Sequence, residues 1–393
     1  MAGTRVVVMQ FRKKPKAVVL NLFMSVLGGG ERSALVHTMA LDRLGYDAEL
    51  ITTDDAPDTD RMAAAFGGEF KDVRIVRMPH DAIMPALHGR SIDLFVNHTF
   101  GSFVRNCGRM GIYVQMFPAE PVRRSTSPYL VAALETYHRM SCVSSFSRDY
   151  TLRNLDFPPE RISVLNPPLD AVFSKMATRW AWRCPPKKRQ FVNVGRFNPS
   201  LHNKNQLILI EAFLDARSRF RELEDWSFLL IGHVNRDVES QQYFAQCAEL
   251  AGRTGGAVRL EADASLDRVV ESLGESFGYV HGAGAFIQEA EHPEMCEHFG
   301  IAIAEAMACG CVPLIYHAGG IFDVFTPGRG GLSYHTYREL VDGFATLASV
   351  YGTTVGRRMQ RFNVAAVGRL SERRFIRNVG RVCREIRDQF RLH

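Results

Sequence analysis

Residues 297–320 read EHFGIAIAEAMACGCVPLIYHAGG, and these positions hold a helix start, a helix stop, a buried strand and a glycine turn. Positions 301–309 are good helix formers or easily buried residues, and Gly310 stands where a left-handed C-terminal cap is wanted. Val312, Pro313, Leu314, Ile315 and Tyr316 then form a short apolar run that suits a parallel strand covered on both faces, where Pro is tolerated near the beginning. A turn follows at Ala318, Gly319 and Gly320. A helix that feeds such a strand predicts an α/β fold.

The chemistry of the stretch comes from its helix start. Peptide N–H groups around Phe299, Gly300 and Ile301 lack intrahelical acceptors, and with the helix dipole they make an anion site worth about 0.3–2 kcal/mol. Glu297 lies just outside the helix and Glu305 eight positions on, so the two cannot pair on one face and are expected to reach different parts of one ligand. Carboxylates beside a phosphate site make sense as acceptors for hydroxyls, which ribose and hexose supply.

The chain of 393 residues is too long for a single core and predicts two or three domains; with 46% apolar and 23% charged residues it reads as globular. The early apolar run 17–27 is too short to span a bilayer and contains Asn21 and Ser25, so a cytoplasmic protein is expected. Eight scattered cysteines with no C-x-x-C pair indicate buried thiols rather than disulfides or zinc. A net charge of +6 does not argue for nucleic acid but suits anionic substrates or an anionic membrane surface.

Residues 1–16 contain Arg12, Lys13, Lys14 and Lys16 and read either as a first strand at 6–9 with a basic loop or as a frayed tail. Residues 17–23 form the first secure strand, followed by Gly28-Gly29-Gly30-Glu31-Arg32 and a helix, a phosphate-cradling order in which Gly29 and Gly30 are candidate ligand contacts. Apolar segments at 48–52, 73–78, 94–97 and 112–117 alternate with stretches long enough for crossover helices, giving a mostly parallel, Rossmann-like half. His98 ends one of these strands, where imidazoles face the ligand crevice in α/β sheets, and it is a candidate for the acceptor side together with Gln115. Residues 141–149, SCVSSFSRD, predict a strand entering a serine-capped helix, and 162–170, ISVLNPPLD, close the first domain. Residues 171–189 show no clear periodicity and read as a linker.

The pattern then restarts. A strand at 191–194 leads into Gly195-Arg196-Phe197, and Lys204 opens a helix at 206–213. Charge-assisted hydrogen bonds from Arg196 and Lys204 to an anion would contribute roughly 1.5–3 kcal/mol each. Strands at 227–231, 257–260 and 277–281 end in Gly232-His233 and in His281-Gly282-Ala283-Gly284, turns expected to wall a nucleotide. The acidic run around Glu289, Glu291, His292 and Glu294 lacks metal-ligand spacing. Residues 357–393 carry eleven arginines against three acids, with Phe375, Val379, Val382, Ile386 and Phe390 at helical spacing. Such a basic amphipathic helix either covers core with its apolar side or lies on a membrane surface.

The extended form HPEMCEHFGIAIAEAMACGCVPLIYHAGG resembles the E-x7-E segment of the retaining nucleotide-sugar glycosyltransferases of family 4. VGRFNPSLHNKNQLILIEAF resembles their diphosphate clamp, and GG-x-E-R the loop that opens them. The resemblance covers about residues 17–335. It implies a GT-B fold, two Rossmann-like domains facing a cleft, divided here as 1–170, a linker at 171–189, 190–356, and a C-terminal helix at 357–393 crossing back to the first domain. It implies that Glu297 contacts the transferred sugar, Glu305 the ribose, and Arg196 and Lys204 the leaving diphosphate in place of a metal. Gly195, Gly232, His281, Phe299, Gly300 and Ile301 would complete the donor site. The expected partners are a nucleotide-sugar donor and a saccharide or lipid-linked acceptor, with no cofactor and with localisation in the cytoplasm or at the inner face of the membrane. The EHFGI form leans toward GDP-mannose. Asp58-Thr59-Asp60 has the D-x-D spacing of metal-dependent GT-A transferases, but no strong strand feeds it. Many relatives have His immediately before Phe-Pro, where this chain has Met116, and Gln115 is the expected substitute. A sugar-nucleotide epimerase and a non-catalytic nucleotide-sugar-binding subunit are the rival readings.

Overall fold

The computed structural model describes residues 14–25, 28–53, 55–66, 70–119, 127–200 and 202–392. The strand expected at 6–9 lies outside them.

The first sheet has seven parallel strands: β1 (Lys16–Leu20), β2 (Asp47–Thr53), β3 (Ile75–Met78), β4 (Leu94–Asn97), β5 (Met110–Gln115), β6 (Arg139–Cys142) and β7 (Ile162–Val164). The second has six: β8 (Lys188–Val194), β9 (Ser227–Gly232), β10 (Val258–Ala262), β11 (Ser276–His281), β12 (Val312–Tyr316) and β13 (Leu332–Tyr334). The spatial orders are β3-β2-β1-β4-β5-β6-β7 and β10-β9-β8-β11-β12-β13, so each sheet reverses direction beside its first strand. Ligands bind at such switch points, outside the carboxyl ends of the strands. The α/β expectation of two Rossmann-like units is met, and the near-continuous apolar strands are apolar because helices cover both faces.

The helices that matter for the site are α1 (Gly29–Arg43), α2 (Thr59–Phe66), α5 (Ser145–Asn154), α6 (Ala171–Arg183), α7 (Gln206–Arg219), α9 (Leu266–Glu275), α10 (Ile301–Ala308), α12 (Thr354–Val367) and α13 (Glu372–Phe390). Helix α10 ends one residue before its expected end, and Gly310 has φ +77°. A side chain at Gly310 would be strained in that conformation, and its Cβ would stand 2.2 Å from the Trp180 ring. Helix α5 is capped by the Ser144 hydroxyl, which accepts from the Ser147 N–H.

One stretch differs from its reading in sequence. Residues 171–183, read as part of a linker, form helix α6, with Asp170 as its N-cap. Phe173 and Trp180 are seven apart and share the buried face, whereas Trp182 is 85% exposed, so the two tryptophans obscured the period. The C-terminal helix α13 lays Phe375, Val379, Val382, Cys383 and Ile386 into the first core, against α1. Its apolar face is therefore covered, and its arginines point outward. Among the described residues no helix is long and apolar enough to cross a membrane. All eight cysteines are free, six of them buried.

Candidate active site

The carboxyl ends of the two sheets face each other. Ser144, after β6, donates to the His298 carbonyl at 2.6 Å, and Asp323 accepts from the Ser145 N–H at 2.8 Å and from Asn166 at 2.9 Å. The Phe117 ring, just after β5, meets the His298 ring at 4.5 Å. Met116 packs against both the first core and the core around α10. The Met116 sulfur also crowds Gly30, where a Cβ would lie 3.2 Å away.

At the start of α10 the chain passes through Gly300 at φ +84°, a conformation that favours glycine. The Gly300 N–H donates to Glu297 Oε1 at 3.1 Å. Glu297 Oε2 receives Lys204 Nζ at 2.6 Å and His281 Nε2 at 2.9 Å. The helix start thus holds one anion already, the Glu297 carboxylate, while the N–H groups of Ile301, Ala302 and Ile303 remain without intrahelical acceptors. Burial works to raise the Glu297 carboxyl, but the Lys204 charge and the His281 hydrogen bond prevail and hold it well below the usual carboxylate range. His281 is buried and pushed down by desolvation, so it donates from Nε2 as a neutral imidazole.

His202 extends the cluster. Its Nε2 faces the Cys296 carbonyl at 2.5 Å and must carry the proton, which leaves Nδ1 to accept from Lys204 at 3.1 Å. Burial, the Lys204 charge and His298 hold His202 well below its ordinary value. His202 and His298 stack with ring centroids 4.5 Å apart. Neither had been singled out in the sequence, although both sit inside motifs that had been: two residues before Lys204 and one after Glu297.

Arg196 makes no hydrogen bond or ion pair among the described residues. It lies close enough to lower Glu31, in the first turn of α1, although burial is the larger effect and raises that carboxyl. Glu31 in turn accepts from the Gly28 N–H at 2.9 Å, closing the start of α1. Gly29 stands open, with nothing within 4 Å of an added Cβ. Gly195 and Gly232 are where the ends of β8 and β9 cross: a Cβ on Gly232 would fall 1.9 Å from the Gly195 carbonyl. Phe299 is buried in the core around α10.

Glu305, one helical turn deeper, is partly exposed by surface area. Enough protein still surrounds its carboxyl that desolvation raises it to about 8, against the lowering effect of Arg32. Arg32 donates to the Pro168 carbonyl at 2.8 Å and stands 3.6 Å from Asp170.

The acceptor-side candidates are placed otherwise than expected. His98 is 0% exposed, beneath α1, with Nε2 3.1 Å from the Ser33 hydroxyl and its ring edge 5.1 Å from His37. Strand β4 is central, so its end is roofed by α1 before it reaches the cleft. Gln115 is 7% exposed and donates to the Phe117 carbonyl at 2.7 Å, which ties it to its own loop. Asp58 accepts from the Arg61 N–H at the start of α2, a capping role. Among the described residues no group of three or more His, Cys, Asp or Glu side chains is arranged to hold a metal ion.

Residues 174–350 match the family model of the glycosyl transferases group 1. No curated protein matches the chain in sequence. Among solved structures, a glycosyltransferase from Rickettsia africae ESF-5 superposes with TM-score 0.68 at 14% identity, covering 94% of this chain and 98% of its own. Anabaena HepE in complex with UDP and glucose gives 0.69 at 14% identity, covering 94% and 99%. Sucrose-phosphate synthase from Thermosynechococcus elongatus gives 0.66 at 14% identity, with 94% and 99% covered. The chain therefore has the GT-B fold, and its second sheet with helix α10 lies within the residues that match the glycosyl transferases group 1 model.

Proposed function

We propose that the protein transfers a hexose from a nucleoside-diphosphate sugar to a hydroxyl of a saccharide or lipid-linked acceptor, with retention of configuration and without a metal ion. One observation carries the reading. The buried Lys204–Glu297–His281 cluster closes the start of α10, and Arg196 stands unpaired among the described residues on the same cleft wall. A diphosphate leaving group develops negative charge, and Arg196, Lys204 and the free N–H groups of α10 would stabilise it as preorganised donors. Glu297, already ionised, accepts from hydroxyls of the transferred sugar, and Glu305 from the ribose. The UDP and UDP-glucose complexes of Anabaena HepE, which shares the fold, support a nucleotide-sugar donor. The outward arginines of α12 and α13 supply a surface for an anionic membrane carrying a lipid-linked acceptor.

The test is a thermal-shift panel of UDP-, GDP- and ADP-sugars with EDTA present, followed by labelled-sugar transfer or release with the donor that stabilises. A true donor at about 100 times its Kd adds about 2.7 kcal/mol. Arg196→Ala should then lower turnover by roughly 10- to 1,000-fold. If no donor stabilises the protein the nucleotide-sugar reading fails; activity that EDTA removes and manganese restores overturns the metal-free mechanism.

A further inference from the structure

His298 is built differently from the other imidazoles of the site. Its Nε2 lies 2.9 Å from the Glu294 carbonyl, which can only accept, so Nε2 carries the proton and Nδ1 keeps a lone pair. No described residue donates to that Nδ1, and the residue is only half-buried. By contrast, His202 has both nitrogens engaged, and His281 and His98 each bury theirs.

The ring is also held from two sides, and its backbone from a third. His202 stacks on one face, with 22° between the ring planes, and the Phe117 edge-to-face contact supports it from the first domain. Its backbone carbonyl is clamped by Ser144. A half-buried imidazole with a fixed tautomer, and with an acceptor that no described residue uses, lies directly after the Glu297 carboxylate. Through Phe117 the ring touches the loop after β5, on the first domain's side of the cleft. Burial keeps the imidazole neutral, at about 4, and an uncharged lone pair suits a hydroxyl rather than a phosphate.

We propose that His298 is a sugar-recognition residue: its Nδ1 accepts a hydrogen bond from a hydroxyl of the transferred hexose. The inference rests on the nucleotide-sugar reading above. A site that hydrogen-bonds a substrate hydroxyl discriminates strongly against an analogue lacking it.

The test uses UDP-glucose or GDP-mannose, whichever the wild-type protein hydrolyses or transfers, with the monodeoxy and monofluoro analogues of its hexose. Wild type should lose at least tenfold in kcat/KM for one deoxy position and equally for the fluoro analogue there, because fluorine accepts but cannot donate. His298→Phe should abolish that discrimination while retaining the ring contacts, and His298→Asn, which places an acceptor near the Nδ1 position, should restore part of it. A merely structural role would slow all analogues alike. Discrimination unchanged in a folded His298→Phe protein at every position overturns the proposal. Absence of any turnover or binding with both donors in wild type overturns instead the reading on which it rests.

Discussion

Removing Lys204 does more than delete a cation, because its ammonium compensates the Glu297 charge at 2.6 Å with both side chains less than 15% exposed. Breaking one partner of such a pair strands the other charge, which costs on the order of 3–5 kcal/mol. Lys204→Ala should therefore lower the urea midpoint markedly, and adding Glu297→Gln should recover part of the loss; a double variant no more stable than Lys204→Ala would show that the pair is not coupled. Glu305 offers a cleaner probe. Raised to about 8, it is protonated near neutrality, and a donating ribose hydroxyl favours the carboxylate. Nucleoside diphosphate affinity should rise as pH increases through 8 and be flat in Glu305→Gln. In stability the sign is opposite: the folded value lies above the unfolded one, so the wild type loses stability as pH rises from about 4.5 through 8. Titration calorimetry and melting curves across pH 6 to 9 check both, and pH-independent affinity in the wild type would contradict the assignment.

Helix α10 is gripped at its far end as firmly as at its start. Lys187 donates to the carbonyls of Leu273 and Cys309, Gln360 to that of Gly310, and Asn363 to those of Cys311 and Gly330. Lys187, just before β8, thus links the C-terminal ends of α9 and α10, and α12 holds the turn that follows α10. The chain then runs into α13, whose anchor is Phe375, buried edge-on to His37 at 4.9 Å. Phe375→Ala should cost about 3–5 kcal/mol in urea unfolding. A loss below about 1 kcal/mol would mean that the helix does not contribute to the first core. The period of α13 could be read from its sequence because its apolar positions recur without interruption. That of α6 could not, since a solvent-facing Trp182 stands beside a buried Trp180.

At the scale of the molecule, folding buries several neutral histidines. Burial lowers His37 and His298 to about 4 and His98 and His202 well below the ordinary value, and His281 moves in the same direction. The unfolded chain takes up protons on these rings near pH 6.5 and the folded chain does not, so stability falls as pH drops from about 6.5 toward 4. His37 alone accounts for up to about 3 kcal/mol of that loss. Glu297, held low in the fold, adds a loss in the same direction further into acid, while Glu305 opposes it. The melting temperature should drop steeply between pH 7 and pH 5; equal values at both would refute a neutral buried histidine cluster.

Local rules were enough to determine the βα alternation, the ends of α10 and the second sheet, because period, caps and glycine turns act over a few residues, whereas the grouping of Arg196, Lys204 and Glu297 was legible only through the family resemblance. Tertiary structure alone decided which side chains already have partners. That His98 and Gln115 are turned inward, that Lys204 rests on Glu297, and that His202 and His298 join the site depends on contacts between residues some 90 or more positions apart in three of these cases. Hydrogen-bond satisfaction is a property of the packed interior, where a polar group must find whatever partner the fold brings near, and no spacing along the chain encodes it.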